Sequence, residues 1–151
     1  MATPLTEFGG EESFSAAPER LFALLTDLGT LAATIPDLVS SERPDERTLK
    51  CVVKPGFSFL RGTLKLSITL ADSQPSEWAA MRLDAQGIGV AMQIVSQLRI
   101  STEGGGSRLT WSARIERMSG LVATISPALV RAAADQTIRH AWKQVRTKLG
   151  E

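Results

Sequence analysis

The chain has 151 residues, 43% of them apolar, and 17 basic against 16 acidic side chains leave a net charge of +1. That length and apolar share fit one domain with a sizeable core, residues 1–151. Near-neutrality excludes a global field that would recruit nucleic acid or anionic lipid, so any such binding must be local. A single cysteine, Cys51, excludes an internal disulfide and a cysteine-based metal cluster. Met1 to Glu12 lacks the basic and apolar regions of a signal peptide, and no apolar run approaches the roughly 20 residues of a membrane span, so a soluble cytoplasmic protein is expected.

Leu5 to Ser15 reads as a strand with a bulge or bend near Gly9 and Gly10. Pro18 suits the first position of a helix whose apolar face is Leu21, Phe22, Leu24, Leu25 and Leu28, ending at Asp27-Leu28-Gly29. A second short helix is expected from about Thr30 to Thr34, stopped by Ile35-Pro36. From Leu38 the texture turns to strands, with Ser41 to Asp45 and Pro55-Gly56 reading as turns. Leu49, Cys51 and Val53 alternate with Lys50, Val52 and Lys54, and Leu64, Leu66, Ile68 and Leu70 alternate more strictly with Thr63, Lys65, Ser67 and Thr69, which marks a sheet with one wet face. After a turn from Asp72 to Ser76, the inward sets are Ala79, Met81, Leu83 and Ala85, then Val90, Met92, Ile94, Ser96, Leu98 and Ile100. Gly87 and Gly89 allow sharp bending, Gly104 to Gly106 is a hairpin tip, and Leu109, Trp111, Ala113 and Ile115 close the sheet.

Ser119 to Gly150 reads as one long helix. Leu121, Ile125, Leu129, Ala133, Ile138, Trp142, Val145 and Leu149 recur at steps of three to five and form its apolar stripe. Pro127 is expected to kink it, since the stripe passes through without changing phase; a separate turn before a helix opening at Ser126-Pro127 is the alternative. Ala132 to Ala134 leave room where a plain core would use large side chains. The predicted fold is α+β, a helix-grip: two short helices after the first strand, then a curved antiparallel sheet of about seven strands in all, wrapped around a long C-terminal helix.

The order resembles the START-like or SRPBCC superfamily, and within it the branch that includes the G subunit of carbon-monoxide dehydrogenase. The residues that carry the resemblance are Phe8 to Phe14, Ala17 to Asp27, Ile35-Pro36-Asp37, Gly62 to Leu66, the Gly87 and Gly89 pair, and Ser119-Gly120-Leu121. Glycine would be more usual at Asp37 and Ser119. The resemblance implies a cavity between helix and sheet that holds an apolar small molecule, a lipid, quinone or similar. For that branch it also implies association with the inner face of the membrane and with a molybdenum-containing hydroxylase. Such proteins often continue past this domain, so a chain ending at Glu151 is expected to lack a direct anchor.

Met81, Met92, Trp111, Phe57 and Phe59 suit either an adaptable apolar pocket or a packed core. With the resemblance, the strand residues expected around a ligand are Phe57, Phe59, Met81, Met92, Ile94, Ser96, Trp111 and Ala113. Val130, Ala133 and Ala134 would face them from the helix, in a dry cavity with Ser96 as its lone polar contact. Chemistry is sparse. His140 has no partner suited to general base work, Cys51 at an inward strand position reads as core, and Gly87-Ile88-Gly89 lacks the third glycine and following helix of a dinucleotide loop. No catalytic residue, metal or cofactor is expected. A non-catalytic carrier is therefore favoured over a polyketide cyclase or dehydratase-like enzyme on the same scaffold. Arg131, Arg139, Lys143 and Arg146 give the last helix a basic face that could dock an acidic protein partner or an anionic membrane surface, in part merely complementing the helix dipole. Nucleic acid is not expected, for want of surface aromatics.

Overall fold

The computed structural model describes residues 6–35, 37–54, 62–87, 89–120 and 127–151. The order is β1 (Thr6–Phe14), α1 (Pro18–Thr26), α2 (Leu28–Ala32), β2 (Leu38–Asp45), β3 (Thr48–Val53), β4 (Leu64–Gln74), β5 (Trp78–Gly87), β6 (Val90–Glu103), β7 (Gly106–Gly120) and α3 (Pro127–Leu149). The strands form one antiparallel seven-stranded sheet ordered β1-β7-β6-β5-β4-β3-β2, so β1 crosses the molecule to pair with the last strand. It is the expected helix-grip.

The alternation read from the sequence sets the inner face. Along one row across the sheet, Ile68 pairs with Leu83, Leu83 with Ile94, and Ile94 with Ile115. In the next row Leu70, Met81, Ser96, Ala113 and Phe8 are successive partners. Two fully buried clusters close the ends of this face. At one, Leu21 and Leu25 of α1 meet Phe14, Ile100, Leu109, Val145 and Leu149. At the other, Leu28 and Ala32 of α2 meet Leu49, Cys51 and Ile68.

Several boundaries differ from the sequence reading, each for a local reason. Gly9 and Gly10 lie in unbroken register from Glu7–Arg114 to Phe14–Ser107, with no bulge. A Cβ on Gly10 would come within 3.1 Å of Trp111 Nε1, so this glycine makes room for the indole. Helix α2 begins at Leu28, before Thr30, because the Asp27 carboxylate caps it, accepting from Gly29 N at 3.0 Å and from the Thr30 N and Oγ1 atoms. Those bonds, that from the Thr30 backbone foremost, hold the Asp27 carboxyl below its usual range.

Ser41 to Asp45 form no turn; they belong to β2, an edge strand exposed along nearly its whole length, where no inward set exists to betray a strand. Strand β4 likewise runs to Gln74, with Leu70/Asp72 as an irregularity in its pairing, so the turn is shorter than Asp72 to Ser76. Gly87 and Gly89 take left-handed φ angles of 141° and 71° where β5 turns back into β6. The Pro55-Gly56 turn lies outside the described residues.

The long helix is the largest correction. Ser119 and Gly120 are still strand, paired with Ala91 and Val90, and Gly120 at φ 77° ends the run. Helix α3 has 23 residues and starts at Pro127, where a missing N–H costs nothing. Pro127 thus opens the helix and kinks nothing described. Leu121 and Ile125 lie outside the described residues. Leu129, expected in the buried stripe, is 50% exposed. Thirteen residues separate it from Trp142, about 3.6 turns, so the two project to nearly opposite sides; the five-residue step from Ala133 to Ile138 had let the stripe drift in phase. The face that packs runs through Ala134, Ile138, Trp142, Val145 and Leu149.

Candidate functional site

Between the two packed ends, the inner face is not closed. Leu66, Met81, Leu83, Met92 and Ile94 are half-buried, as are Ala134 and Ile138 of α3 above the sheet. Leu66, Met92, Ile94, Ala134 and Ile138 pack against a sparse cluster whose buried members are Phe8, Val53, Leu64 and Ile115, while Met81 and Leu83 pack toward the α2 end. In a filled core such side chains would be buried outright.

At the seam between α3 and β1 lies a cavity of about 250 Å³. Phe8, Trp111, Ile138 and Trp142 supply its apolar wall. Glu12, Arg131, Asp135 and Arg139 supply polar groups, so it is not the dry pocket expected around Ser96. The Trp142 ring sits 6.1 Å from Trp111 and 6.2 Å from Phe14, tilted against both, an arrangement aromatic pairs favour. Trp111 Nε1 and Trp142 Nε1 are shut off from solvent without a hydrogen-bond partner. Each such buried donor costs about 1–3 kcal/mol.

Two of the basic residues on α3 are committed to the fold. Arg146 donates to Ser13 O at 2.8 Å and to Glu12 Oε1 at 3.0 Å, and its guanidinium lies 4.4 Å over the Phe14 ring. Arg131 donates to Glu7 O at 3.2 Å and stands 5.4 Å over Phe8. Among the described residues Arg139 and Lys143 have no ion pair, and Asp135 has neither ion pair nor side-chain hydrogen bond.

Of the residues expected around a ligand, Trp111 lines the seam cavity. Met92, Ile94, Ala113 and Ala134 gather around the Phe8–Ile115 cluster, while Met81 packs toward the α2 end. Ser96 sits between Met81 and Ala113 in the sheet. Ala133 is half-buried but in none of the buried clusters, being about 100° round the helix from Ala134. Phe57, Phe59 and the side chain of Val130 lie outside the described residues. Sequence reasoning missed Phe8, Glu12, Asp135 and Ile138 as neighbours. The available signal was the spacing of Arg131, Asp135, Ile138, Arg139 and Trp142, which puts all five on one side of a helix.

Cys51 is 3% exposed, and burial pushes its thiol pKa up, as for an inert core cysteine. His140 is exposed on α3. Among the described residues no group of three or more His, Cys, Asp or Glu side chains could hold a metal ion. No described helix is long and apolar enough to cross a membrane.

The family model for the G subunit of carbon monoxide dehydrogenase (CoxG) matches residues 10–150. The chain belongs to that family. Solved structures agree on the fold. A conserved protein from Geobacillus kaustophilus superposes with a TM-score of 0.88 at 17% identity, covering 96% of this chain and 95% of its own. Ara h 8.0201 gives a TM-score of 0.72 at 13% identity, over 97% and 99% of the two chains. The XoxI protein from Bacillus cereus gives 0.67 at 12% identity, over 95% and 94%. No curated protein sequence matches the chain. CoxG membership and these neighbours place the domain in the SRPBCC or START-like superfamily.

Proposed function

We propose that this CoxG-family protein is a non-catalytic binding protein that holds an apolar small molecule, a lipid, quinone or similar, between α3 and the concave face of the sheet. The observation that carries the reading is the half-buried middle of that face, Met92, Ile94 and Ala113 under Ala134 and Ile138, between buried clusters at its two ends. Apolar surface left accessible inside a fold is favourable to cover, and a molecule of matching shape covers it. Membership of the CoxG family supports service as an accessory to a carbon-monoxide dehydrogenase-type hydroxylase. Arg139 and Lys143, without an ion pair among the described residues, are cations that could meet an acidic partner or an anionic membrane surface.

One observation favours a cyclase-like enzyme instead: Asp135, a carboxylate with no ion pair among the described residues, borders the cavity, and proton transfer requires a positioned acid or base. The other carboxylate there, Glu12, is held by Arg146, which leaves a single free acid and no histidine partner at the cavity. Binding is therefore the stronger reading. Native mass spectrometry on protein purified from its own host should show an adduct that organic extraction removes. Only the bare mass, in a protein that also takes up no apolar dye, would overturn the proposal.

A further inference from the structure

Strand β1 is an edge of the sheet, and the edge it leaves free faces α3. Among the described residues the helix is tied to that edge at two points. At one, Arg146 donates to Ser13 O and to Glu12, beside the packed cluster that holds Val145 and Leu149. At the other, Arg131 donates to Glu7 O at 3.2 Å and lies over the Phe8 ring. Between them, Phe8 to Glu11 makes no hydrogen bond or ion pair to α3 among the described residues, and Gly9 and Gly10 have no side chains with which to close the gap.

The seam cavity occupies that gap. Its outer rim is exposed at Gly9, Arg131 and Arg139. Its inner wall includes Phe8, Trp111 and Ile138, which also belong to or pack on the sparse cluster that Met92, Ile94, Ala113 and Ala134 touch. One layer of apolar side chains therefore stands between solvent and the half-buried middle of the sheet. The charges of Glu12, Arg131, Asp135 and Arg139 cancel, so an uncharged apolar molecule meets no net field at the rim. We infer that the seam is the door of the binding site: the N-terminal half of α3 lifts when Arg131 leaves Glu7 O, and an apolar molecule passes Asp135 to the middle of the sheet as Phe8 and Ile138 move aside. The inference rests on the binding-protein reading and adds to it a route and a latch. A hydrogen bond from an exposed guanidinium to one backbone carbonyl favours the closed seam yet breaks within ordinary helix motion. The other end of α3 does not serve, since lifting it would expose Val145, Leu149 and the Phe14 to Leu109 cluster.

Stopped-flow uptake of Nile red tests the door, because a latch that touches no ligand changes rates and leaves affinity alone. Arg131→Ala should raise the association and dissociation rate constants together, by about fivefold for the loss of one hydrogen bond, with Kd unchanged. Asp135→Trp puts a large side chain into the passage at a half-buried position with no bond to lose, and should lower both constants by about tenfold or more. Lys143→Ala, which removes another exposed cation of the same helix, should leave both at parent values. Arg131→Ala, at an exposed position, keeps the fold and decides the question if the bulkier variant does not fold. Parent rates in Arg131→Ala would place the door elsewhere and end the inference, with the binding-protein reading left standing. A change in Kd carried by dissociation alone would make these residues ligand contacts, which also ends it. A parent protein that takes up no Nile red defeats the inference together with the reading on which it rests.

Discussion

The two halves of α3 lie on different floors. Toward its C-terminus, Val145 and Leu149 are 3% and 5% exposed and interlock with Phe14, Leu21, Leu25 and Leu109. Arg146 ties the same half to β1 through Ser13 O and Glu12. Toward its N-terminus, Ala133, Ala134 and Ile138 are half-buried, and Leu129 faces solvent. One helix thus anchors at one end and roofs a space at the other. On the proposed binding function, fold stability and ligand capacity would rest on different residues, so each could be altered with limited damage to the other.

The largest expected effect tests that division directly. Leu109 has 0% exposure at the packed end, and Leu109→Ala should cost about 3–5 kcal/mol, as for leucines whose cavity cannot collapse. Ile138→Ala removes a half-buried side chain that borders open space and should cost only about 1–2 kcal/mol. Urea melts on both variants decide it; equal costs would show the two halves to be equally packed.

A smaller effect separates the arginines of α3. Arg146→Gln loses a bond to Ser13 O and a half-exposed ion pair, and should cost about 1 kcal/mol after allowance for solvent screening. Arg139→Gln with Lys143→Gln should change stability by less than about 0.5 kcal/mol, as surface changes do. The double variant should still weaken binding to anionic vesicles, with added salt mimicking the loss. Vesicle binding that survives both treatments would assign these charges to solubility alone.

Much of this arrangement was legible in the residues, and what was not has physical causes. Leu49, Cys51 and Val53, or Leu64 to Leu70, reveal strands because one face is buried; β2 conceals itself because almost nothing along it is. Leu129 was misplaced because a stripe with a five-residue step looks continuous in sequence while rotating round the helix. The seam cavity was harder still. It depends on β1 pairing with β7 about a hundred residues away, which brings Gly10 opposite Trp111 and Glu12 opposite Leu109. Read alone, Gly9-Gly10 suggests a bend; read against Trp111, Gly10 makes space for an indole.

The smallest expected change in stability comes from the substitution that says most about the open half. Ala134 faces the sheet and touches the sparse Phe8–Ile115 cluster, whereas Ala133 lies about 100° away and belongs to no buried cluster. If the space beneath Ala134 is unfilled, Ala134→Leu extends into it, covers apolar surface that was already accessible, and changes stability by less than about 0.5 kcal/mol. The same methylenes occupy the ligand's volume, so uptake of an environment-sensitive apolar dye should be lost. Ala133→Leu, pointing elsewhere, should preserve both uptake and stability and so controls for a general effect of adding leucine to the helix. In a filled core, Ala134→Leu would instead force its neighbours off their rotamers and cost about 1–3 kcal/mol. Destabilisation on that scale, in a protein whose parent never took up dye, would mean that the two halves of α3 are packed alike and that the roof covers nothing.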